Sequence, residues 1–240
     1  MIVGNGQIAN ALEKYDRNDV CILASGVSDS KCTDRMKFKR ERDLISRYIL
    51  ENPRKKIIYF SSCALSSTDY LDVAYYRHKK DIEQLIKRSA QSWLIFRVPQ
   101  LFGPLKEHPT LINFLFQSIR SLKEFTLNEK AYRYVIDIDD LTDVVEGALC
   151  LGLHSEVVDV ANFHRYSVRE MVEIIEAQLN VKALFKTVSV DDAYFLDLER
   201  FSEICKELGI ENRFSKNYLD SSLRARIQQF HDAHTNIYAV

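Results

Sequence analysis

Along the first hundred residues, compact apolar runs alternate with stretches in which apolar positions recur every three or four residues. Asp19–Ser25 (DVCILAS), Lys56–Ser62 (KIIYFSS) and Ser92–Val98 (SWLIFRV) are short and carry β-branched residues, as strands covered on both faces do. Between them, helical spacing predicts helices over Phe38–Leu50 and from Ala74 to about Ser89. The first ends before Asn52-Pro53, because proline disfavours helix in the residue ahead of it. A leading MIV and an amphipathic ALEKY complete the repetition. This order predicts an α/β fold, a parallel sheet with helices on both faces and right-handed crossovers.

After Gly103-Pro104 the texture changes. The spacing predicts a helix around Thr110–Leu122, a short strand near Tyr132–Ile136, a helix at Asp139–Leu151 and a strand at VVDVAN. Ser167 with Glu170 three residues later reads as a capping box opening another helix. An apolar segment, VKALFKTV, and two helices follow. No internal repeat, low-complexity tract or Gly/Ser linker interrupts the chain. We therefore expect a core over 1–104 and a small lobe over 105–240, interleaved with the last strands of the sheet.

Composition narrows the function classes. The 240 residues are 46% hydrophobic and 28% charged, with a net charge of −1, so nothing favours nucleic acid or an anionic membrane as partner. The five cysteines are scattered without a C-x-x-C, and the histidines show no metal spacing, so no metal site is expected. No apolar run approaches the ~18 residues that span a bilayer. The opening MIVGNG carries no leader-like core, and the expectation is a cytoplasmic protein.

Gly4-Asn5-Gly6-Gln7-Ile8-Ala9 reads G-x-G-x-x-A between a strand and a helix. The first glycine permits a tight turn, the second lets backbone approach a pyrophosphate, and the small third residue lets helix and strand pack closely. The expected companion, an acid ~20 residues on to hold ribose hydroxyls, is missing. That count lands in Ala24-Ser25-Gly26, and Asp29 lies past the strand end.

The helix AYYRHKKDIEQLI holds two Tyr–Lys pairs four residues apart. Stepping back from Ile86 through Ile82 at helical spacing reaches Lys79 and Tyr75, on the border of the buried face; Tyr76 and Lys80 fall toward solvent. An ammonium close to a phenol favours the phenolate, moving a group with an ordinary pKa of ~10 toward neutrality and making a usable acid/base. Just ahead, Ser61-Ser62-Cys63 closes a strand at the edge where parallel sheets bind ligands.

Together these stretches resemble the extended short-chain dehydrogenase/reductases, the nucleotide-sugar epimerase/dehydratase family. GNGQIA, ILASGVSDS, IIYFSSCALS, Tyr75-x-x-x-Lys79-x-x-x-Glu83, FRVPQLFGP, RYVIDIDDL and VVDVANFHRYSVREMVEII carry the likeness through almost the whole chain. The resemblance implies a Rossmann-like fold and NAD or NADP held by Gly4, Asn5, Gly6, Gln7, Ile8, Ala24, Ser25, Gly26, Tyr75, Lys79 and Pro99. It also implies a nucleotide-sugar substrate met by Gln100 and Arg133. Tyr75 would be the acid/base and Lys79 its partner. The family's Ser/Thr donor falls on Cys63, with Ser62 beside it, and a thiol is the weaker donor.

The larger departure is a deletion. Two strand–helix units of the family are replaced by ALEKYDRND, and with them goes the adenosine clamp. The sheet should be truncated on that side, with its first strand at or near an edge and nicotinamide-cofactor binding weakened or altered. Two functions follow: an NAD(P)-dependent epimerase, dehydratase or keto-reductase of a nucleotide-linked sugar, or a non-catalytic relative that binds a nucleotide or sugar nucleotide. The resemblance further implies a homodimer through the helices Phe38–Leu50 and Ala74–Ser89. KFKRERDLISR reads as a solvated face with Leu44 and Ile45 inward, and His78, His108, His154 and His164 as surface or loop residues.

Overall fold

The computed structural model describes residues 1–67, 72–105 and 110–235; His108 lies outside them. The chain forms two compact units. The first comprises Met1–Val98, Ile138–Val160 and Phe195–Leu208, and the second Pro99–Asp137, Ala161–Tyr194 and Gly209–Val240. The stretch after residue 104 thus contributes to both.

In the first unit five strands form one all-parallel sheet. They are β1 (Ile2–Val3), β2 (Val20–Leu23), β3 (Lys56–Ser62), β4 (Trp93–Val98) and, from later in the chain, β9 (Glu156–Asp159), in the order β1-β2-β3-β4-β9. The near-continuous apolar runs are explained by cover on both faces. Cys21, Leu23, Ile57, Tyr59 and Ile95 alternate onto one face, where they pack with Ile45 and Ile49 of α2 (Arg35–Glu51) and Ile82 and Ile86 of α3 (Ala74–Ser89). Burying each of these isoleucines contributes about 1.5–3 kcal/mol relative to exposure. The first unit also holds α1 (Gln7–Leu12), α5 (Ile138–Cys150), which packs on α1, and α7 (Glu199–Glu207), which packs on β9.

Among the described residues β1 pairs with β2 alone and is an edge of the sheet. The three-residue turn Gly4–Gly6, the short helix α1 and a 3-10 turn over Glu13–Tyr15 lead from β1 to β2. The sheet ends at β1, as the expected truncation requires.

The second unit holds three two-stranded pairs. β5 (Gln100–Phe102) runs parallel to β8 (Val135–Asp137), and β6 (Phe125–Asn128) parallel to β11 (Phe185–Val188). β7 (Tyr132–Arg133) pairs antiparallel with β10 (Tyr166–Ser167). Helices α4 (Leu111–Arg120), α6 (Val168–Leu179) and α8 (Tyr218–Thr235) pack with them. The Ser167–Glu170 capping box is formed, each side chain serving the other's backbone N–H. No helix among the described residues is long and apolar enough to cross a membrane.

Candidate functional site

The first-unit candidates gather where the carboxyl ends of β2 and β3 meet the first turns of α3. Tyr75, His78, Lys79, Ile82, Glu83 and Ile86 are the buried side of that helix; Lys80 is exposed and Tyr76 half-buried. Ile82 and Ile86 anchor it in the core, and this places Lys79 over the end of β3.

Lys79 is 3% exposed. Its Nζ donates to Glu41 Oε1 at 3.1 Å, to the Tyr59 hydroxyl at 2.8 Å and to the Phe60 carbonyl at 3.4 Å. An ammonium has three N–H donors, so each has an acceptor inside the chain. Glu41, on α2, is 1% exposed and equally committed. Oε1 also accepts from the Tyr59 hydroxyl at 2.7 Å. Oε2 lies 2.9 Å from His78 Nε2 and accepts from the Val27 backbone N–H at 2.8 Å. His78 stacks on Phe38 at 4.4 Å. A Cβ at Gly26 would come within 2.6 Å of Glu41 Oε1 and 2.7 Å of Lys79 Nζ, so that glycine is where the β2 loop passes directly against the pair.

Two expectations are corrected here. His78 is a core residue at 6% exposure, not a surface one, because the carboxylate of Glu41 gives its ring a buried partner. The KFKRERDLISR helix is not wholly solvated beyond Leu44 and Ile45, since Glu41 turns inward with Ile45 and Ile49.

Tyr75 is also buried, against Val27, Cys32 and, edge-on at 5.0 Å, the Tyr76 ring. Lys79 Nζ stands 5.9 Å from its ring centroid. The expected lowering of the Tyr75 pKa is reversed: burial pushes the phenol well above its ordinary value, and Tyr76, Glu41 and Asp29 push the same way. The physical reason is first the burial of the phenol, to which the carboxylate of Glu41, paired with the ammonium, adds. Burial opposes ionisation of Glu41, yet the charge of Lys79 and the bonds from His78, Val27 and Tyr59 outweigh it and hold the carboxyl at about 2. Burial pulls Lys79 below the usual ammonium value, against the pull of Glu41.

A carboxyl depressed in the folded state stabilises fully above its unfolded pKa, and that stability is lost as pH falls through the folded value. From an ordinary 4.5 to about 2 the difference amounts to about 3 kcal/mol. The stability of the wild type should fall across pH 4.5 to 2, and Glu41→Gln should flatten that part of the profile. Urea unfolding at several pH values measures it, and superimposable slopes for the two proteins would count against the assignment.

A second network lies along the same sheet edge. Arg97 of β4 forks onto Glu83 of α3, at 2.9 and 2.8 Å, and donates to Ser66 Oγ at 3.0 Å. Ser66 donates in turn to Asp159 Oδ2 at 2.7 Å. Cys63 points its thiol into the chain, onto the Arg97 carbonyl at 3.0 Å, and burial pushes its pKa far up, reinforced by Asp159. The Ser62 hydroxyl accepts the Ala64 N–H at 3.3 Å and caps the 3-10 turn Cys63–Ser66.

The glycine turn shows a division of labour. Gly4 has φ +135°, and a Cβ there would lie 2.4 Å from the Ala24 carbonyl, so the adjoining strand end demands that glycine. A Cβ at Gly6 would meet nothing within 4 Å. Asn5 and Gly6 are exposed, Gln7, Ile8, Ala24, Ser25 and Gly26 half-buried.

Pro99, Gln100 and Arg133 belong to the second unit. Pro99 and Gln100 are half-buried, and the Gln100 N–H bonds the Tyr134 carbonyl at 3.1 Å. Arg133 is engaged: it pairs with the Asp192 carboxylate and donates to the Tyr132 and Asp192 carbonyls at 2.9 and 3.0 Å.

No protein-family model and no curated protein sequence matches the chain. Solved structures do. The dTDP-glucose 4,6-dehydratase of Bacillus anthracis in complex with NAD superposes with a TM-score of 0.70 at 15% identity, over 95% of this chain and 79% of that one. The UDP-glucose 4-epimerase of Thermotoga maritima with UDP-glucose gives 0.68 at 14%, over 92% and 80%. The UDP-N-acetylglucosamine 4-epimerase of Methanobrevibacter ruminantium with UDP-N-acetylmuramic acid gives 0.70 at 12%, over 93% and 80%. The chain has the fold of these nucleotide-sugar dehydratases and epimerases. Several neighbours of this fold hold NAD or NADPH.

Against that fold the residues divide in their fit to a dinucleotide. The open space at Gly6 suits a pyrophosphate, as a cradle that the chain itself does not fill. The adenosine side does not fit, because β1 is an edge and Ala24, Ser25 and Gly26, with no acid among them, stand at the end of β2. The ribose contact assigned to Lys79 by resemblance does not fit either, since its donors already have acceptors.

The sequence reading passed over Glu41 and Tyr59. A signal existed for the first: Glu41, Ile45 and Ile49 are spaced four apart and continue one stripe.

Proposed function

We propose that this protein acts on a nucleotide-linked sugar, with Tyr75 as the group that handles a proton at the carboxyl edge of the sheet. The reaction belongs to the NAD(P)-linked class of epimerisation, dehydration or keto-reduction. The observation that carries the reading is the gathering of Tyr75, Lys79, Ser62 and Cys63 at the ends of β2 and β3, in the order of the motifs, with open space at Gly6. The shared fold supports the substrate class. Arg133, Gln100 and Pro99 are the second-unit residues we assign to ligand.

A non-catalytic relative is the second reading, and the full engagement of Lys79 with the missing clamp favours it. Calorimetric titration with UDP- and dTDP-linked sugars and with the four nicotinamide forms, followed by chromatography of incubated mixtures, tests both. We expect sugar-nucleotide binding, weak dinucleotide binding and a converted sugar. Binding without conversion selects the second reading. Absence of any sugar-nucleotide binding overturns both, and submicromolar binding of a dinucleotide would show that its clamp is rebuilt from other residues.

A further inference from the structure

Lys79 and Tyr75 sit one helical turn apart and the ammonium stands 5.9 Å from the centroid of the phenol ring, yet its three hydrogen bonds go to Glu41, Tyr59 and Phe60. One of these acceptors is a carboxylate from another helix. Glu41 reaches from α2 and accepts one proton of Lys79, while the Tyr59 hydroxyl and the Phe60 carbonyl accept the other two. The Glu41 side chain is itself pinned by Tyr59, His78 and Val27, so the pair has no slack.

We propose that Glu41 is a positioning residue for Tyr75: by pairing directly with Lys79 it draws the hydrogen bonds of the ammonium away from the phenol and keeps Tyr75 a hydroxyl, the form that can donate a proton. In that role the Tyr75 O–H bond breaks, the proton passes to a ligand oxygen, and the phenolate left behind is reprotonated from water. The inference rests on the reading of Tyr75 as the proton-handling group.

The charged and titratable surroundings of Tyr75 agree. From its own helix come Tyr76, His78 and Lys79, from α2 Glu41, from β3 Tyr59, and from the loop after β2 Asp29 and Cys32. Lys79 is held by Glu41, and Glu41 and Asp29 both disfavour a phenolate. Uncompensated, an ammonium this close would favour the phenolate instead.

The test is alkaline titration of tyrosinate absorbance in the ligand-free protein. With twelve tyrosines in the chain, the Tyr75 component is isolated by subtracting a Tyr75→Phe partner of each protein. In the wild type, Tyr75 should remain un-ionised through the ordinary tyrosine range near ~10. Glu41→Gln should lower its midpoint at least tenfold in proton concentration. Glu41→Asp retains the charge and should leave the midpoint with the wild type, and Glu41→Gln with Lys79→Met should return it there. A purely structural role for Glu41 would move none of these selectively. A wild-type Tyr75 midpoint at or below ~10 overturns the proposal even where Glu41→Gln does not fold. Equal midpoints in wild type and Glu41→Gln, or an equal shift in Glu41→Asp, also overturn it. Should the titrations come out as stated while Tyr75→Phe converts sugar nucleotides normally, the functional reading falls and the inference about the phenol stands.

Discussion

Lys79→Met should lower the unfolding free energy by roughly 3–5 kcal/mol, the cost of leaving a buried carboxylate without its counter-charge. For a chain of this size that corresponds to a fall in melting temperature of roughly 10 °C. The magnitude follows from the geometry. Glu41 Oε1, the Tyr59 hydroxyl and the Phe60 carbonyl each lose a donor at once, in surroundings with almost no access to water. An exposed ion pair would behave differently: Lys39–Asp43, on the outer face of α2, should contribute well under about 1 kcal/mol. The pairing of Lys79 is therefore read from stability, which requires no knowledge of the ligand. Thermal unfolding followed by far-ultraviolet circular dichroism measures the loss. A drop of a degree or two would mean that the carboxylate left behind has water to fall back on.

Tyr75→Phe should reduce turnover of the sugar nucleotide by a factor of about 10²–10⁴, the usual worth of a positioned acid/base, with ligand affinity little changed. The substitution removes one oxygen and leaves the ring against Val27, Cys32 and Tyr76, so the fold should persist. This is the property that separates the two functional readings. Under catalysis, the loss appears in kcat rather than in binding. Under the non-catalytic reading, no measurable conversion exists for the change to affect, and binding is the same in both proteins.

Much of the first unit was legible in the sequence because its strands are covered on both faces. Across 20–23, 57–60 and 93–98 every position but Arg97 is apolar. The deletion was legible as well, by counting from the glycine turn to Ala24-Ser25-Gly26, and it forecast the edge position of β1. The second unit was harder. Gln100–Phe102 is three residues, too short for an alternation of period two to stand out, and it pairs with Val135–Asp137, which overlaps the strand expected near Tyr132–Ile136. Glu41 was hidden for a different reason. Among lysines and arginines a glutamate reads as solvated, and only its spacing with Ile45 and Ile49 distinguishes it from Glu51, which is exposed. His78 was lost to helical arithmetic: stepping back from Ile82 by three reaches Lys79 and by four reaches His78, and a period of 3.6 buries both. The direction of the Tyr75 pKa could not be read from one helix, since burial against Val27 and Cys32 sets it and Glu41 of another helix adds to it.

The most direct measurement of the central claim is a double-mutant cycle over Glu41→Gln and Lys79→Met, read by urea unfolding at neutral pH. Partners held in one buried network should couple by about 2–3 kcal/mol, the double variant recovering most of what Lys79→Met loses. Losses that add to within about 0.5 kcal/mol would mean that carboxylate and ammonium do not meet, and Lys79 would again be free to serve the phenol.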